Sequence, residues 1–245
     1  MDARRIAMWS GPRNLSTAMM RSFENRADCS VVDEPLYAAY LAATGLDHPG
    51  RDDVLASQST DPAVVLTELA RGPVATPLQY QKHMTHHLLD GVDRAALGGL
   101  VHAFLVRDPE RVLTSYAKVR EEPTLSDLGL PQQVELFETF GGPVLDAADV
   151  LADPEAALRA LCAALGIGFD PAMLAWPAGP RDSDGVWAPH WYAGVEASTG
   201  FGRSSPGSAD PLPTRLEPLL ERCRPYYDAL APYRLRPSDP SQEPA

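Results

Sequence analysis

The chain has 245 residues, 44% of them hydrophobic and 22% charged, which suffices for one large α/β domain with a substantial core. Its formal net charge of −12 argues against nucleic acid or an anionic membrane as the main partner. No run approaches the roughly 20 apolar residues of a membrane span, and no cleavable leader is visible. Three widely spaced cysteines form no disulfide framework, so we expect a cytoplasmic protein.

The first predicted element is a short buried strand at residues 5–10, followed by a loop and then a helix. The loop reads Gly11-Pro12-Arg13-Asn14-Leu15-Ser16-Thr17. Backbone N–H groups at a helix N-terminus bind anions, and Arg13 adds a charged, forked donor. The Gly-Lys pair of a nucleoside-triphosphate loop is absent. The segment predicts a site for an anionic group on a nucleotide, unless it is a plain capped strand-to-helix turn.

A second strand is predicted at residues 29–33, and it ends at Glu34. A helix follows at residues 62–69, with Asp61 as its cap. The next strand, at residues 78–82, ends in Lys82, and we predict a helical segment at residues 83–89. On such a helix His83 shares a face with His86 and His87, which could serve as a base or lie passively at the surface.

The fourth strand, at residues 100–106, runs into Arg107 and a helix that starts at Pro109 with Asp108 as its cap. Ser115 lies two turns into that helix. Ligands of open α/β sheets bind outside the carboxyl ends of the strands, so this junction predicts a second anion-binding corner. An ordinary ion pair of Arg107 with Asp108 or Glu110 is the simpler alternative.

The remaining elements alternate between helix and strand. Residues 131–140 predict a helix, residues 144–145 a short strand, and residues 154–165 an amphipathic helix ended by Gly166. Residues 178–213 show no clear periodicity and predict a lid or disorder. A last helix at 216–230 should be kinked or broken near Pro225, and the polar tail at 236–245 should be disordered.

Alternating strands and helices predict a single α/β domain over residues 1–235, with a mainly parallel sheet and helices on both faces. Right-handed crossovers then bring the carboxyl ends of the strands to one edge. We expect Arg13, Glu34, Lys82 and Arg107 to lie along that edge.

Three segments resemble motifs of the sulfotransferases that use 3′-phosphoadenosine 5′-phosphosulfate (PAPS). Residues 12–17 are similar to their 5′-phosphosulfate loop, although Leu15 replaces the usual glycine. Residues 107–115 are similar to their 3′-phosphate motif, and residues 150–166 to a segment with the pattern Asp-Leu-x-x-Asp-Pro-Glu. The resemblance runs from about residue 5 to residue 176. It implies a parallel sheet of the P-loop type and PAPS as the donor, bound by the loop residues 11–17 and by Arg107 and Ser115.

The resemblance also implies roles for residues farther along the chain. Ser198, Thr199 and Arg203 could close over the 3′-phosphate, as the C-terminal loop of the family does. In protein-tyrosine and bacterial sulfotransferases a glutamate at a place comparable to Glu34 looks like the catalytic base. Cytosolic members use a Lys-x-His pair, but here Met84 stands two positions after Lys82.

We therefore expect a PAPS-dependent sulfotransferase that acts on a hydroxyl or amine of a small molecule and needs no metal. Arg13 and Lys82 would supply positive charge, with Glu34 ranked first as the base and His86 or His83 second. The alternatives are a small-molecule kinase on a related fold and a nucleotide-binding protein without turnover. The sequence does not indicate the oligomeric state.

Overall fold

The centre of the computed structural model, which describes residues 3–120, 122–202 and 210–236, is a five-stranded parallel sheet. The strands are β1 (Arg4–Ser10), β2 (Cys29–Asp33), β3 (Leu78–Met84), β4 (Val101–Val106) and β5 (Val144–Asp146). Their order across the sheet is β2-β3-β1-β4-β5, and each neighbouring pair is parallel. The predicted α/β class is confirmed. Arg203 and residues 237–245 of the predicted tail lie outside the described residues.

Helices connect the strands and flank the sheet. They are α1 (Ser16–Glu24), α2 (Tyr37–Thr44), α3 (Arg51–Ser57), α4 (Pro62–Arg71), α5 (Pro109–Tyr116), α6 (Leu125–Leu128), α7 (Leu130–Phe140), α8 (Ala147–Ala152), α9 (Pro154–Ala164), α10 (Ala188–Trp191), α11 (Ala193–Glu196) and α12 (Glu217–Leu230). Short 3₁₀ helices cover Thr85–His87, Arg94–Gly99, Pro171–Leu174, Thr214–Leu216 and Ala231–Tyr233. No helix in the described ranges combines the length and apolarity needed to cross a membrane.

Both predicted aspartate caps form. The Asp61 side chain accepts a hydrogen bond from the backbone of Ala63, and the Asp108 side chain accepts from Glu110 and Arg111. These caps satisfy N–H groups that a helix start otherwise leaves without partners. Asp108 is therefore committed to starting α5 and forms no ion pair with Arg107 in this structure.

The sheet is buried on both faces, which explains the nearly continuous apolar run of β1. Ile6 and Met8 pack into the cluster formed with α1 and α9, while Ala7 and Trp9 pack into the cluster formed with α4 and α7. Alternate residues of a strand point to opposite faces, so a strand covered by helices on both sides needs apolar residues throughout. This arrangement fixes the carboxyl edge as the place where polar side chains can emerge.

The helix predicted at residues 83–89 is wrong. Strand β3 continues to Met84, because Trp9 and Ser10 of β1 pair with His83 and Met84 in parallel register. The His83 ring stacks on the Trp9 ring at 4.3 Å, which holds His83 in the strand. Only the 3₁₀ turn Thr85–His87 follows.

In two places of the C-terminal third the structure excludes one of the alternatives that the sequence left open. Helix α12 continues through Pro225, so it is not broken there, and it packs against the domain by Leu219, Cys223 and Leu230. The part of 178–213 that the structure describes has regular structure. It contains α10 and α11, and it buries Trp187 and Tyr192.

Candidate functional site

The loop between β1 and α1 contains two non-glycine residues in left-handed backbone conformation. The φ angles are 59° at Arg13 and 57° at Leu15. Left-handed conformation costs an L-residue roughly 1–2 kcal/mol, and such strain concentrates at functional sites. Leu15 thus adopts the backbone that glycine would adopt easily, and its side chain packs against the main core cluster.

This loop leaves a row of backbone N–H groups without backbone partners. The first backbone hydrogen bond at the start of α1 runs from the Met19 N–H to the Leu15 carbonyl, at 2.9 Å. The hydrogen bonds of the described residues use none of the N–H groups of residues 13–18. Unpaired N–H groups that converge at a helix N-terminus bind anions.

Two arginines meet beside this row of N–H groups. Arg13 Nε donates to the Ser115 hydroxyl at 2.9 Å, and Arg107 donates to the Arg13 carbonyl at 2.6 Å. Burial, together with repulsion from Arg111 and Arg13, lowers the pKa of Arg107. No carboxylate of the described residues lies within ion-pair distance of Arg13 or Arg107. An anionic ligand would relieve this crowding of positive charge.

Two cavities open on this edge and share four lining residues. The first, here called the loop cavity, measures about 420 Å³ and is lined by residues 13–18, Arg107, Ser115 and residues of the segment 191–202. The second, here called the strand-end cavity, measures about 310 Å³ and lies over the ends of β2 and β3. Both are lined by Arg13, Ser16, Thr17 and Trp191.

Glu34 enters the strand-end cavity from a strained turn directly after β2. Its φ angle is 38°, and its backbone is held on both sides. The Glu34 N–H donates to the Lys82 carbonyl at 2.9 Å, and the Glu34 carbonyl accepts from Tyr37 and Gln58 at 3.1 and 3.2 Å. The strain fixes the direction of the side chain, which is 12% exposed.

A buried polar network surrounds Glu34. Lys82 Nζ donates to Asp33 Oδ1 at 2.9 Å and to Glu34 Oε1 at 2.7 Å, and it also donates to the Tyr192 hydroxyl. Trp187 Nε1 donates to the same hydroxyl at 3.0 Å. A phenol has one proton and two lone pairs, so the Tyr192 proton is left for Asp33, whose oxygens lie 2.7 and 2.8 Å away.

This distribution of donors separates the two carboxylates. Asp33 receives bonds from Lys82 and Tyr192, and a further bond at 3.1 Å from the Gly185 N–H. Glu34 has a close bond from Lys82 to Oε1 only, and its Oε2 has no hydrogen-bond partner among the described residues. Glu34 therefore keeps one carboxylate oxygen available to a bound molecule.

Burial and charge also set the proton affinities of this network. Burial raises the pKa of Glu34, and repulsion by Asp33 adds to that effect while Lys82 opposes it. Burial disfavours the charged form of Lys82, but the attraction of Asp33 and Glu34 is larger in sum, so the pKa of the ammonium group is raised. The arrangement is a charged lysine beside a carboxylate with enhanced basicity.

The segment that carries Tyr192 is anchored by ion pairs as well as by this network. Asp184 accepts a hydrogen bond from Arg21 at 2.6 Å, and the side chains are 5% and 1% exposed. Asp184 also accepts from the Arg181 N–H at 2.8 Å. The Arg21 contact joins the segment to α1, which begins at the loop cavity, and Trp191 of the same segment lines both cavities.

The histidines expected at this edge divide between two locations. His86 and His87 line the strand-end cavity. His83 lies on the face of β3 opposite to Lys82, because successive strand residues alternate. Its ring stacks on Trp9 and bonds to Gln81 at 3.1 Å, and it does not line either cavity. Burial lowers the pKa of His83 to about 3, followed by a smaller effect of His102.

The predicted loop residues also divide by position. Asn14 and Leu15 line the loop cavity, Pro12 lines the strand-end cavity, and Arg13, Ser16 and Thr17 line both. Gly11 lines neither, and it is buried where a Cβ atom would lie 2.6 Å from the Leu128 carbonyl oxygen. Its place in the predicted binding loop is thus explained by packing.

Of the three residues expected to close over the donor, the structure describes two. Ser198 lines the loop cavity and accepts a hydrogen bond from Trp176 Nε1 at 3.1 Å. Thr199 contributes its carbonyl to the Trp176 N–H at 3.1 Å and is not a lining residue. Arg203 lies outside the described residues.

Sequence reasoning did not single out Asp33, which belongs to the network around Glu34, or Arg120, which lines the strand-end cavity. Asp33 was detectable as a second carboxylate at a strand end, adjacent to Glu34. The bond between Tyr192 and Asp33 had no local signal, because it spans 159 positions of sequence. No group of three or more His, Cys, Asp or Glu in the described part of the chain has the arrangement of a metal site.

Comparison with known proteins defines the class. The model of the sulfotransferase domain family matches residues 4–233. The chain therefore belongs to the sulfotransferase domain family.

Two curated relatives come from Arabidopsis thaliana and are named branched-chain-amino-acid aminotransferase-like proteins 1 and 2. They are 42% and 39% identical to this chain over 231 residues, which is 92% of this chain and 41% of each relative. The chain thus spans about two fifths of the length of these relatives.

Two solved structures share the fold. The sulfotransferase domain from the Synechococcus PCC 7002 olefin synthase has a TM-score of 0.50 and 18% identity, covering 90% of this chain and 95% of that domain. The sulfotransferase domain from the curacin biosynthetic pathway has a TM-score of 0.50 and 14% identity, covering 96% and 99%. At these identities the likeness concerns the fold alone.

Proposed function

We propose that this protein transfers a sulfuryl group from PAPS to a hydroxyl of a small-molecule acceptor, with Glu34 as the general base. The observation that carries the proposal is the junction of two cavities at Arg13, Ser16 and Thr17. A group transfer needs donor and acceptor held in line at one point. The loop cavity would hold the nucleotide and the strand-end cavity the acceptor.

The loop cavity suits a donor that carries two separate anionic groups. The unpaired N–H groups of residues 13–18 and Arg13 suit the phosphosulfate, and Arg107 and Ser115 suit a 3′-phosphate. Arg107 has no carboxylate of the described residues in ion-pair contact, so a phosphate would supply its missing partner. PAPS supplies the sulfuryl group when bound.

On the acceptor side, Glu34 Oε2 accepts the proton of the reacting hydroxyl. The freed oxygen forms the new bond to sulfur, and the bond between sulfur and the phosphate oxygen breaks. Lys82 and Arg13 offset the negative charge that develops, and 3′,5′-adenosine bisphosphate leaves. Asp33 is left out of proton transfer because Lys82, Tyr192 and Gly185 already bond to it.

A thermal-shift experiment tests the donor assignment. The midpoint of unfolding should rise with 3′,5′-adenosine bisphosphate and should not rise with ATP plus magnesium, since binding to the folded state alone stabilises it. A shift with ATP plus magnesium only would favour a kinase. A shift with the bisphosphate but no sulfuryl transfer to any acceptor would indicate a binding protein without turnover.

A further inference from the structure

Two imidazoles in the strand-end cavity have no role in the proton transfer described above. His86 and His87, in the 3₁₀ turn after β3, are only 8% and 4% exposed. Nδ1 of both rings is buried without a partner, and the described residues form no hydrogen bond to either Nε2. A neutral imidazole carries one N–H and one lone pair, and the two Nδ1 atoms have no accessible surface, so Nε2 of each ring is the atom left to meet a bound molecule.

Aromatic contacts hold both rings in fixed orientations. The His87 ring stacks between Tyr37 and Tyr40, at centroid distances of 4.6 and 4.8 Å. The His86 ring stands edge-on to Tyr40 at 5.3 Å and lies 4.4 Å from the His87 ring. Side chains that packing already holds in one orientation lose little conformational entropy when a ligand binds.

Packing alone does not account for this pair. A phenylalanine would make the same ring contacts without leaving buried nitrogens unpaired, which destabilises a folded protein. The rings are also unsuited to act as bases. Burial and, to a smaller extent, His48 lower the pKa of His86 to about 3, and burial followed by His86 holds the pKa of His87 well below its usual range. Both rings are therefore neutral hydrogen-bonding groups at physiological pH.

Two of the three cations that line the strand-end cavity are paired within the protein. Lys82 is bonded to Asp33 and Glu34, and Arg120 pairs with Asp127 at 3.1 Å. The third, Arg13, also lines the loop cavity and is assigned above to the donor. With Arg13 engaged by the donor, a carboxylate or phosphate on the acceptor would find no unpaired cation and would be repelled by Asp47, which lines the cavity and is exposed. These charges favour an uncharged acceptor over an anionic one.

We propose that His86 and His87 select the acceptor, which is a small uncharged molecule with a second hydroxyl or carbonyl beside the reacting hydroxyl. The reacting hydroxyl bonds to Glu34, and the second oxygen bonds to the imidazole pair. The cavity volume of about 310 Å³ lies near the lower end of ligand pockets and suits a single-ring molecule between Tyr37, Tyr116 and Trp191. This inference rests on the proposed sulfuryl transfer.

The test supplies labelled PAPS together with anionic, cationic and neutral fractions of a small-molecule extract separated by ion exchange. We expect label to enter products from the neutral fraction. Transfer confined to the anionic or cationic fraction would overturn the acceptor assignment and leave the sulfotransferase activity intact. If 3′,5′-adenosine bisphosphate binds but no fraction accepts label, both the proposed sulfuryl transfer and this acceptor assignment are wrong.

The variants His86→Phe and His87→Phe then test the imidazoles directly. Each should raise the KM for the neutral acceptor about tenfold while the affinity for 3′,5′-adenosine bisphosphate stays unchanged. The midpoint of thermal unfolding should stay equal or rise, which separates a recognition role from a structural one. His86→Asn should recover part of the loss, because it restores a polar nitrogen.

His190→Phe is the matched control, since His190 is exposed and lines neither cavity. It should leave the KM unchanged. An unchanged KM in both His86→Phe and His87→Phe would overturn the proposal, as would a large fall in the unfolding midpoint of His86→Asn and both phenylalanine variants without a change in KM.

Discussion

The loop cavity and the strand-end cavity are adjacent but differ in how their charges are satisfied. Around the loop cavity, Arg13 and Arg107 have no ion-pair partner among the described residues, and the N–H groups of residues 13–18 are unpaired. Around the strand-end cavity, Lys82 is bonded to two carboxylates and a phenol. The first cavity therefore carries unpaired positive groups, and the second carries a buried network in which the charges are paired within the protein.

This difference predicts which substitutions should change donor binding and which should change the reaction rate. Removing a cation from the loop cavity should weaken donor binding, because the ligand itself completes the ion pairs there. Removing a member of the strand-end network should leave donor binding intact and change the rate or its pH dependence. The predictions below use that contrast, in order of decreasing effect.

Glu34→Gln should have the largest effect. It keeps the size of the side chain but removes its basicity, so kcat should fall by about 10²–10⁴-fold. The affinity for 3′,5′-adenosine bisphosphate, measured by calorimetry, should stay near that of the unaltered protein. If Glu34→Gln remains fully active while His86→Asn is inactive, the base has been assigned to the wrong residue.

Arg107→Ala should weaken nucleotides with a 3′-phosphate by about tenfold to a hundredfold, the value of a charged hydrogen bond. Nucleotides without that phosphate should bind almost as before. Ser115→Ala should act in the same direction with a smaller loss, because it removes an uncharged donor. Calorimetry with 3′,5′-adenosine bisphosphate and adenosine 5′-monophosphate measures the difference, and equal losses for both nucleotides would contradict the 3′-phosphate assignment.

The pH profile should reveal the raised proton affinity of Glu34. A base is active when ionised, so kcat should rise with pH along an acidic limb centred above the ordinary glutamate pKa of 4.5. That limb should disappear in Glu34→Gln. If the acidic limb survives in Glu34→Gln, the titration of another group produces it.

Tyr192→Phe should reduce kcat by about tenfold and move the acidic limb to higher pH. Loss of the hydroxyl removes a donor from Asp33, so Asp33 draws more on Lys82 and less of that charge stabilises ionised Glu34. Nucleotide affinity should change little. A lower kcat with an unmoved limb would show that Tyr192 acts only by holding its segment in place.

His83→Phe should have the smallest effect, with kcat changed less than about threefold. The phenylalanine ring can replace the imidazole in the stack on Trp9, and His83 lines neither cavity. Steady-state kinetics beside Glu34→Gln provide the measurement. A hundredfold loss of kcat with an unchanged unfolding midpoint would mean that His83 takes part in the reaction.

Much of the fold was determined by local sequence signals. The apolar runs of β1 and β4, the shorter strand patterns of β2 and β3, the caps Asp61 and Asp108, and the alternation of strand and helix predicted a parallel sheet with polar and charged groups at one edge. These features depend on the side-chain periodicity and capping preferences of short segments, which a linear reading can recognise. Local signals also placed Arg13 and Glu34 near the carboxyl ends of β1 and β2.

The arrangement of the site was decided by tertiary structure. The sequence left Glu34 and the histidines as competing bases, because each was a titratable group near a strand end. In the structure their surroundings differ: His83 stacks on Trp9 and lines neither cavity, burial lowers the pKa of His86 to about 3, and Asp33 accepts a hydrogen bond from Tyr192. Proton affinity depends on neighbours that are distant in sequence, so no local pattern could specify it.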